Sequence, residues 1–122
     1  GYLVNTKKKE MWTLGELKIA PNKDKTKYKV LENFQFFDIL VPTGFEFDGA
    51  SVPRFFWRIV SPFQPKVIRA ACGHDYMYEH AIQNKKQADK KFKWALVRDG
   101  TSNWLVHSMY KSVVMFGKGR YN

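Results

Sequence analysis

Apolar residues alternate with polar ones in short runs over residues 1–48, and from residue 49 onward they recur every three to four positions. The first pattern predicts strands and the second helices. Between Tyr2 and about Ala20, Trp12-Thr13-Leu14 and Leu17-Lys18-Ile19 stand among lysines and predict one or two short strands. Pro21-Asn22-Lys23-Asp24 predicts a turn, after which Tyr28 and Val30 begin a strand that resumes through Phe34-Gln35-Phe36-Phe37. Asp38-Ile39-Leu40-Val41-Pro42 gives another run, ended by Pro42-Thr43-Gly44, and Phe45-Glu46-Phe47 alternates up to Asp48-Gly49. These runs predict one small antiparallel sheet.

Asp48-Gly49-Ala50-Ser51-Val52-Pro53-Arg54 reads as a compact loop, with Gly49 suited to a positive φ. Ser51 is placed to cap a short helix over Phe55–Val60, with Pro53 at an early position and Ser61-Pro62 closing it. A helix follows over Val67–His80, then a connection near Gln83-Asn84, then a second helix up to Asp99-Gly100. Thr101 or Ser102 can cap a last helix through Phe116, with Leu105, Met109, Ser112, Val113 and Phe116 on its inner face. The expected fold is α+β: a single domain over 1–122, with a β-rich half (1–48) and a half (49–122) that bundles three to four helices.

At about 100° per residue, Val67, Ala70, Ala71, Met77, Tyr78 and Ala81 share one face of the Val67–His80 helix, and His74 sits in the middle of it. His74 is therefore expected to be buried, with Asp75 at the edge of the face and Tyr78 one turn further on. A buried imidazole needs a partner for each ring nitrogen. In the next helix Ala88, Phe92, Ala95 and Leu96 form the apolar stripe, and Asp89 borders it while Lys86, Lys90, Lys91 and Lys93 point elsewhere. Asp89 can thus reach His74. A hydrogen-bonded histidine in the core of a small domain has the same signature, so this pair fits either a structural or a catalytic role.

Asp48 ends a strand and is followed at once by Gly49, as binding residues on loops often are, although Asp-Gly is also a common turn. Asp48 and Asp75 together could bind a hard cation through oxygen ligands, with loop carbonyls completing the shell. His80 and His107 have no ligand spacing with His74, and Ser51 is better explained as a cap than as a nucleophile.

Composition narrows the choice of partner and compartment. The 122 residues are 44% hydrophobic, enough for a core that folds alone. A lone cysteine, Cys72, excludes an intramolecular disulfide and a thiolate zinc cluster. No run approaches the roughly 20 apolar residues of a membrane span, and no apolar signal-peptide core is visible. The net charge of +10 favours an anionic partner. Its lysines form three groups (Lys7 to Lys9; Lys23, Lys25, Lys27 and Lys29; and the Asp89 helix) without a recognition-helix, zinc-finger or RNA-binding signature, so a phospholipid surface is favoured over nucleic acid.

The blocks Val41-Pro42-Thr43-Gly44-Phe45-Glu46-Phe47-Asp48-Gly49-Ala50-Ser51-Val52-Pro53-Arg54-Phe55-Phe56-Trp57, Ala70-Ala71-Cys72-Gly73-His74-Asp75-Tyr76-Met77-Tyr78 and Ala88-Asp89-Lys90-Lys91-Phe92 resemble a small family of tailed bacteriophages and prophages catalogued as a domain of unknown function. The resemblance runs from about Val41 to Phe116. It implies a phage origin and residence in the host cytoplasm or the virion, with phage structural proteins as possible partners, and it brings no activity. His74-Asp75 with Tyr78 and a second-helix Asp89 also resembles the core of the calcium-dependent phospholipases A2. That likeness implies His74 as general base, Asp75 as calcium ligand, Asp89 as the carboxylate that orients His74 and Tyr78 as its support. The glycine-rich calcium loop and the paired cysteines of those enzymes are missing. Two function classes follow: a phage-encoded, metal-assisted hydrolase of a lipid or cell-envelope substrate, or a non-enzymatic virion or assembly component in which the cluster is structural.

Overall fold

The computed structural model describes residues 13–49, 52, 54–117 and 120–121. Tyr2, Lys7 to Lys9, Trp12, Ser51 and Pro53, on which some of these expectations rest, lie outside them. The chain divides into two compact units, Gly1–Asp48 and Gly49–Asn122, and each is described by itself.

Five short strands build the first unit: β1 (Ile19–Pro21), β2 (Tyr28–Val30), β3 (Phe34–Phe36), β4 (Ile39–Val41) and β5 (Glu46–Phe47). They form two antiparallel sheets rather than the expected one, a three-stranded sheet in the order β1-β2-β5 and a β3-β4 hairpin. The division has a local cause. Leu31, Glu32 and Asn33 are exposed and interrupt the run between Val30 and Phe34. The Asn33 side chain accepts hydrogen bonds from the backbone N–H and the hydroxyl of Thr43, at 2.9 and 3.0 Å, and so ties the interruption to the start of the next turn. Gly44, at φ 96°, then brings Phe45 beside Val30. Where the sequence suggested a strand over Leu17–Ile19, β1 begins at Ile19. The segment before it lies instead along β3, with Gly15 N–H bonded to Gln35 O and Leu14 bridging Phe36.

The second unit opens with a single 3-10 helix, Arg54–Arg58, where an ordinary helix over Phe55–Val60 was expected. A proline at position 62 disfavours the α region at Ser61, which leaves few residues over which an α-helix could propagate. Three α-helices follow: α1 (Ile68–His80), α2 (Lys85–Arg98) and α3 (Asn103–Phe116). Antiparallel strands followed by helices make this an α+β fold. No helix among the described residues is long and apolar enough to cross a membrane.

α1 buries Ala70, Ala71, Cys72, Gly73, His74, Met77 and Tyr78, the face expected for it. Ala81 does not continue that face. It takes the left-handed conformation, φ 51°, and Ile82 N–H bonds back to Met77 O, which ends the helix at His80. α2 starts on a capping box in which Asn84 Oδ1 accepts from Gln87 N–H at 2.9 Å and Gln87 Oε1 accepts from Asn84 N–H at 3.1 Å. It packs against both α1 and α3. Arg69 near the start of α1 forms a two-pronged ion pair with Asp99 at the end of α2, the Nε arm at 3.0 Å.

Ser102 occupies the N-cap position of α3 without a side-chain cap bond, and the Thr101 hydroxyl bonds Lys66 O at 2.8 Å instead. Neither residue therefore caps through its side chain. Leu105, Met109, Ser112 and Val113 face inward as expected, joined by Val106, whereas Phe116 in the last turn is exposed.

The capping box yields a stability prediction. Asn84→Ala should lower unfolding free energy by about 1 kcal/mol and Asn84→Gly by only a few tenths, read from urea titrations followed by circular dichroism.

Candidate functional site

The periodicity that buries one face of α1 places His74 at its centre, and the imidazole has no exposed surface. Tyr78 lies one turn further along the same helix, its ring centroid 4.1 Å from that of His74. On α2 the stripe that buries Ala88, Phe92, Ala95 and Leu96 also carries Asp89 inward. His74 Nε2 lies 2.8 Å from Asp89 Oδ1, and the Tyr78 hydroxyl donates to the same oxygen at 2.5 Å. Phe92 closes the other side of the imidazole, 4.7 Å between ring centroids. The structure thus brings together His74, Asp89 and Tyr78.

One member of the cluster has no part in the sequence reading. Lys85 Nζ donates to Asp89 Oδ2 at 2.8 Å and to the carbonyls of Val113 and Val114 at 2.9 and 3.0 Å. Its sequence signal is the spacing of four residues before Asp89 on one helix. Tyr121 is a second addition: its hydroxyl donates to Met77 O and Ile82 O, and its ring meets Tyr78 edge-on. Lys91, expected to point away, is buried, and its ammonium reaches Gln83 Oε1 at 2.8 Å. The four-carbon stem lies along the apolar stripe while the charge finds a polar acceptor at its end.

Protonation states follow from these contacts. Burial pushes the His74 imidazole below its ordinary pKa, against the hydrogen bond and charge of Asp89. Burial pulls Asp89 upward, but hydrogen bonds from His74, Lys85 and Tyr78 outweigh it and hold the carboxyl below its usual range. Burial and the bond to Asp89 push the Tyr78 phenol up, so it stays a donor. A neutral imidazole facing an ionised carboxylate must carry its proton on Nε2, because the carboxylate can only accept. Nδ1 is then a bare lone pair. It has no hydrogen-bond partner among the described residues.

Asp75 lies outside this network, half-buried, with Oδ2 accepting from Gly49 N–H at 3.2 Å. Gly49 has φ 78°, and a Cβ there would come within 2.7 Å of the Pro62 ring, so the position requires glycine. Asp48 is the last residue of the first unit and is exposed. No group of three or more His, Cys, Asp or Glu side chains able to hold a metal ion occurs among the described residues. Asp75 is a donor of the right kind for a hard cation, which would have to take most of its shell from backbone oxygens. The Cys72 thiol is pushed up by burial and the charge of Asp75, which leaves it inert.

Residues 23–113 match the family described as "Protein of unknown function (DUF1353)". The chain belongs to this family. The DUF1353 match contains His74, Tyr78, Lys85 and Asp89 and stops short of Tyr121. An uncharacterized protein, y4jT, of Sinorhizobium fredii (strain NBRC 101917 / NGR234) is 33% identical over 78 residues, covering 63% of this chain and 23% of that protein. The chain thus spans less than a quarter of the length of the relative. No solved structure matches it significantly.

Two predictions come from the DUF1353 cluster. Asp89→Ala should cost roughly 2–4 kcal/mol, because it strands the Nε2–H of His74 and the Lys85 ammonium together. For pH, both His74 and Asp89 have folded values below their unfolded ones, so the unfolded chain binds more protons in acid. Stability is full above the unfolded histidine value of about 6.5 and falls as pH drops toward the folded values, by up to about 1.4 kcal/mol per pH unit for each group. Thermal melts over this range should show that slope, and His74→Gln should flatten its upper part.

Proposed function

We propose that this DUF1353 chain carries a hydrolase site in which His74 Nδ1 is the general base, Asp89 fixes the imidazole, and Tyr78 and Lys85 fix Asp89. The observation that carries this reading is the one-sided grip on His74. A histidine kept only for packing should have both nitrogens satisfied, since an unpaired buried nitrogen costs about 1–3 kcal/mol. Here one nitrogen is held by an anion and the other retains its lone pair. A base needs such a free lone pair to take a proton from water once water reaches it, and the carboxylate stabilises the imidazolium that results.

The substrate class we assign is an ester of a lipid or cell-envelope component, in keeping with a net charge of +10 and an anionic surface as partner. Calcium is the cofactor this reading calls for, with Asp75 as a carboxylate that would hold it; bound there, the ion would stabilise negative charge developing on the substrate. The resemblance of the Val41–Trp57 and Ala70–Tyr78 blocks to a phage and prophage family is what supports a phage-encoded origin, with action in the host cytoplasm or the virion.

A second reading is favoured by the complete burial of His74. In it the cluster only fixes how α1 and α2 meet, and the chain is a virion or assembly component.

Hydrolysis of phosphatidylglycerol vesicles, with and without calcium, separates the two. The hydrolase reading expects ester release that falls about a hundredfold or more in His74→Asn, beyond any loss of folded protein. It also expects calorimetric calcium binding that Asp75→Asn abolishes. No release from the parent, with His74→Asn destabilised by roughly 1–3 kcal/mol, would establish the structural reading.

A further inference from the structure

The 3-10 helix Arg54–Arg58 has an unusual distribution of side chains for a surface element. With three residues per turn, side chains three apart line up and the helix has three edges. Phe56 occupies the inward edge and is buried, and Val60 beyond it is buried too. The two outward edges each carry one aromatic ring and one arginine: Phe55 with Arg58, and Arg54 with Trp57. Phe55 is 62% exposed, and Ile59, in the turn that follows, is 56% exposed.

The element is firmly held. Trp57 donates its indole N–H to Val52 O at 2.9 Å, meets Phe63 edge-on, and lies under the Arg54 guanidinium, 4.6 Å from its centroid. Charge along the flanking sequence has one sign. From Asp48 to Asp75 the sequence contains no intervening Asp or Glu, while Arg54, Arg58, Lys66 and Arg69 fall in that interval. Arg69 is committed to Asp99, but Arg54 and Arg58 are exposed and make no ion pair among the described residues.

We propose that the Arg54–Arg58 helix and Ile59 form a docking surface for an anionic phospholipid bilayer. Phe55 and Ile59 enter the boundary between headgroups and acyl chains, and Arg54 and Arg58 meet lipid phosphates. A five-residue helix is small for a stable protein interface, which needs roughly 800 Å² per partner. Insertion into a bilayer has no such threshold, because each apolar side chain contributes separately. Base stacking is disfavoured, since Arg54 already covers one face of Trp57. This surface rests on the lipid-directed reading for its biological sense, and it is tested by binding alone.

The test is flotation with vesicles of phosphatidylcholine containing phosphatidylglycerol, beside vesicles of phosphatidylcholine alone. The parent should float with the anionic vesicles. Phe55→Ser combined with Ile59→Ser should weaken that binding about tenfold or more, and Arg54→Gln with Arg58→Gln should weaken it comparably on anionic vesicles only. All four positions are exposed, and unchanged circular dichroism melts confirm that the variants fold. Parent-like binding by the Phe55/Ile59 variant, or no flotation of the parent, overturns the proposal. So does binding of a single-stranded oligonucleotide that depends on these side chains and competes with vesicles. Flotation of the parent without ester release would remove the hydrolase reading and leave the docking surface standing.

Discussion

The Asp89 carboxylate is the point on which the helical unit depends. It is buried, and burying an ionised carboxylate costs several kcal/mol unless its oxygens are satisfied. Three donors satisfy it: the His74 ring and the Tyr78 hydroxyl on one oxygen and the Lys85 ammonium on the other. Two of these come from α1 and one from α2, so the charge is stable only when α1 and α2 pack in one register. Apolar packing alone would tolerate a range of neighbouring arrangements; a buried anion with directional partners does not.

The same constraint reaches the end of the chain. Gly117 follows α3, and a Cβ there would lie 2.4 Å from both the Tyr78 hydroxyl and Val113 O. The position therefore accepts no side chain without displacing a donor to Asp89. Beyond it, Arg120 N–H bonds Tyr78 O and Tyr121 anchors on Met77 O and Ile82 O, so the chain's last described residues hold the end of α1.

Much of this was legible in the sequence because helical periodicity reports burial directly. It placed His74 inside, identified Asp89 as its partner, and separated a strand-rich region from a helical one. What it missed has identifiable causes. Period-two alternation says that Phe34 and Phe36 share a face, but not that Asn33 and Gly44 divert the chain into a second sheet. Lys85 drew no attention because lysine is usually exposed; its role depends on carbonyls at the far end of another helix, a contact no local pattern encodes. Phe116 carries the right spacing for the inner face of α3 yet lies in its last turn, past the reach of the neighbouring helix.

Lys85 also changes where the electrical environment of His74 is set. Its ammonium bonds a side-chain anion and, at once, two carbonyls of the last turn of α3, the negative end of that helix. The single positive charge is shared between a carboxylate and a backbone dipole. The ammonium therefore ties the C-terminal turn of α3 to the carboxylate that holds the imidazole, so that three helices meet at one buried charge.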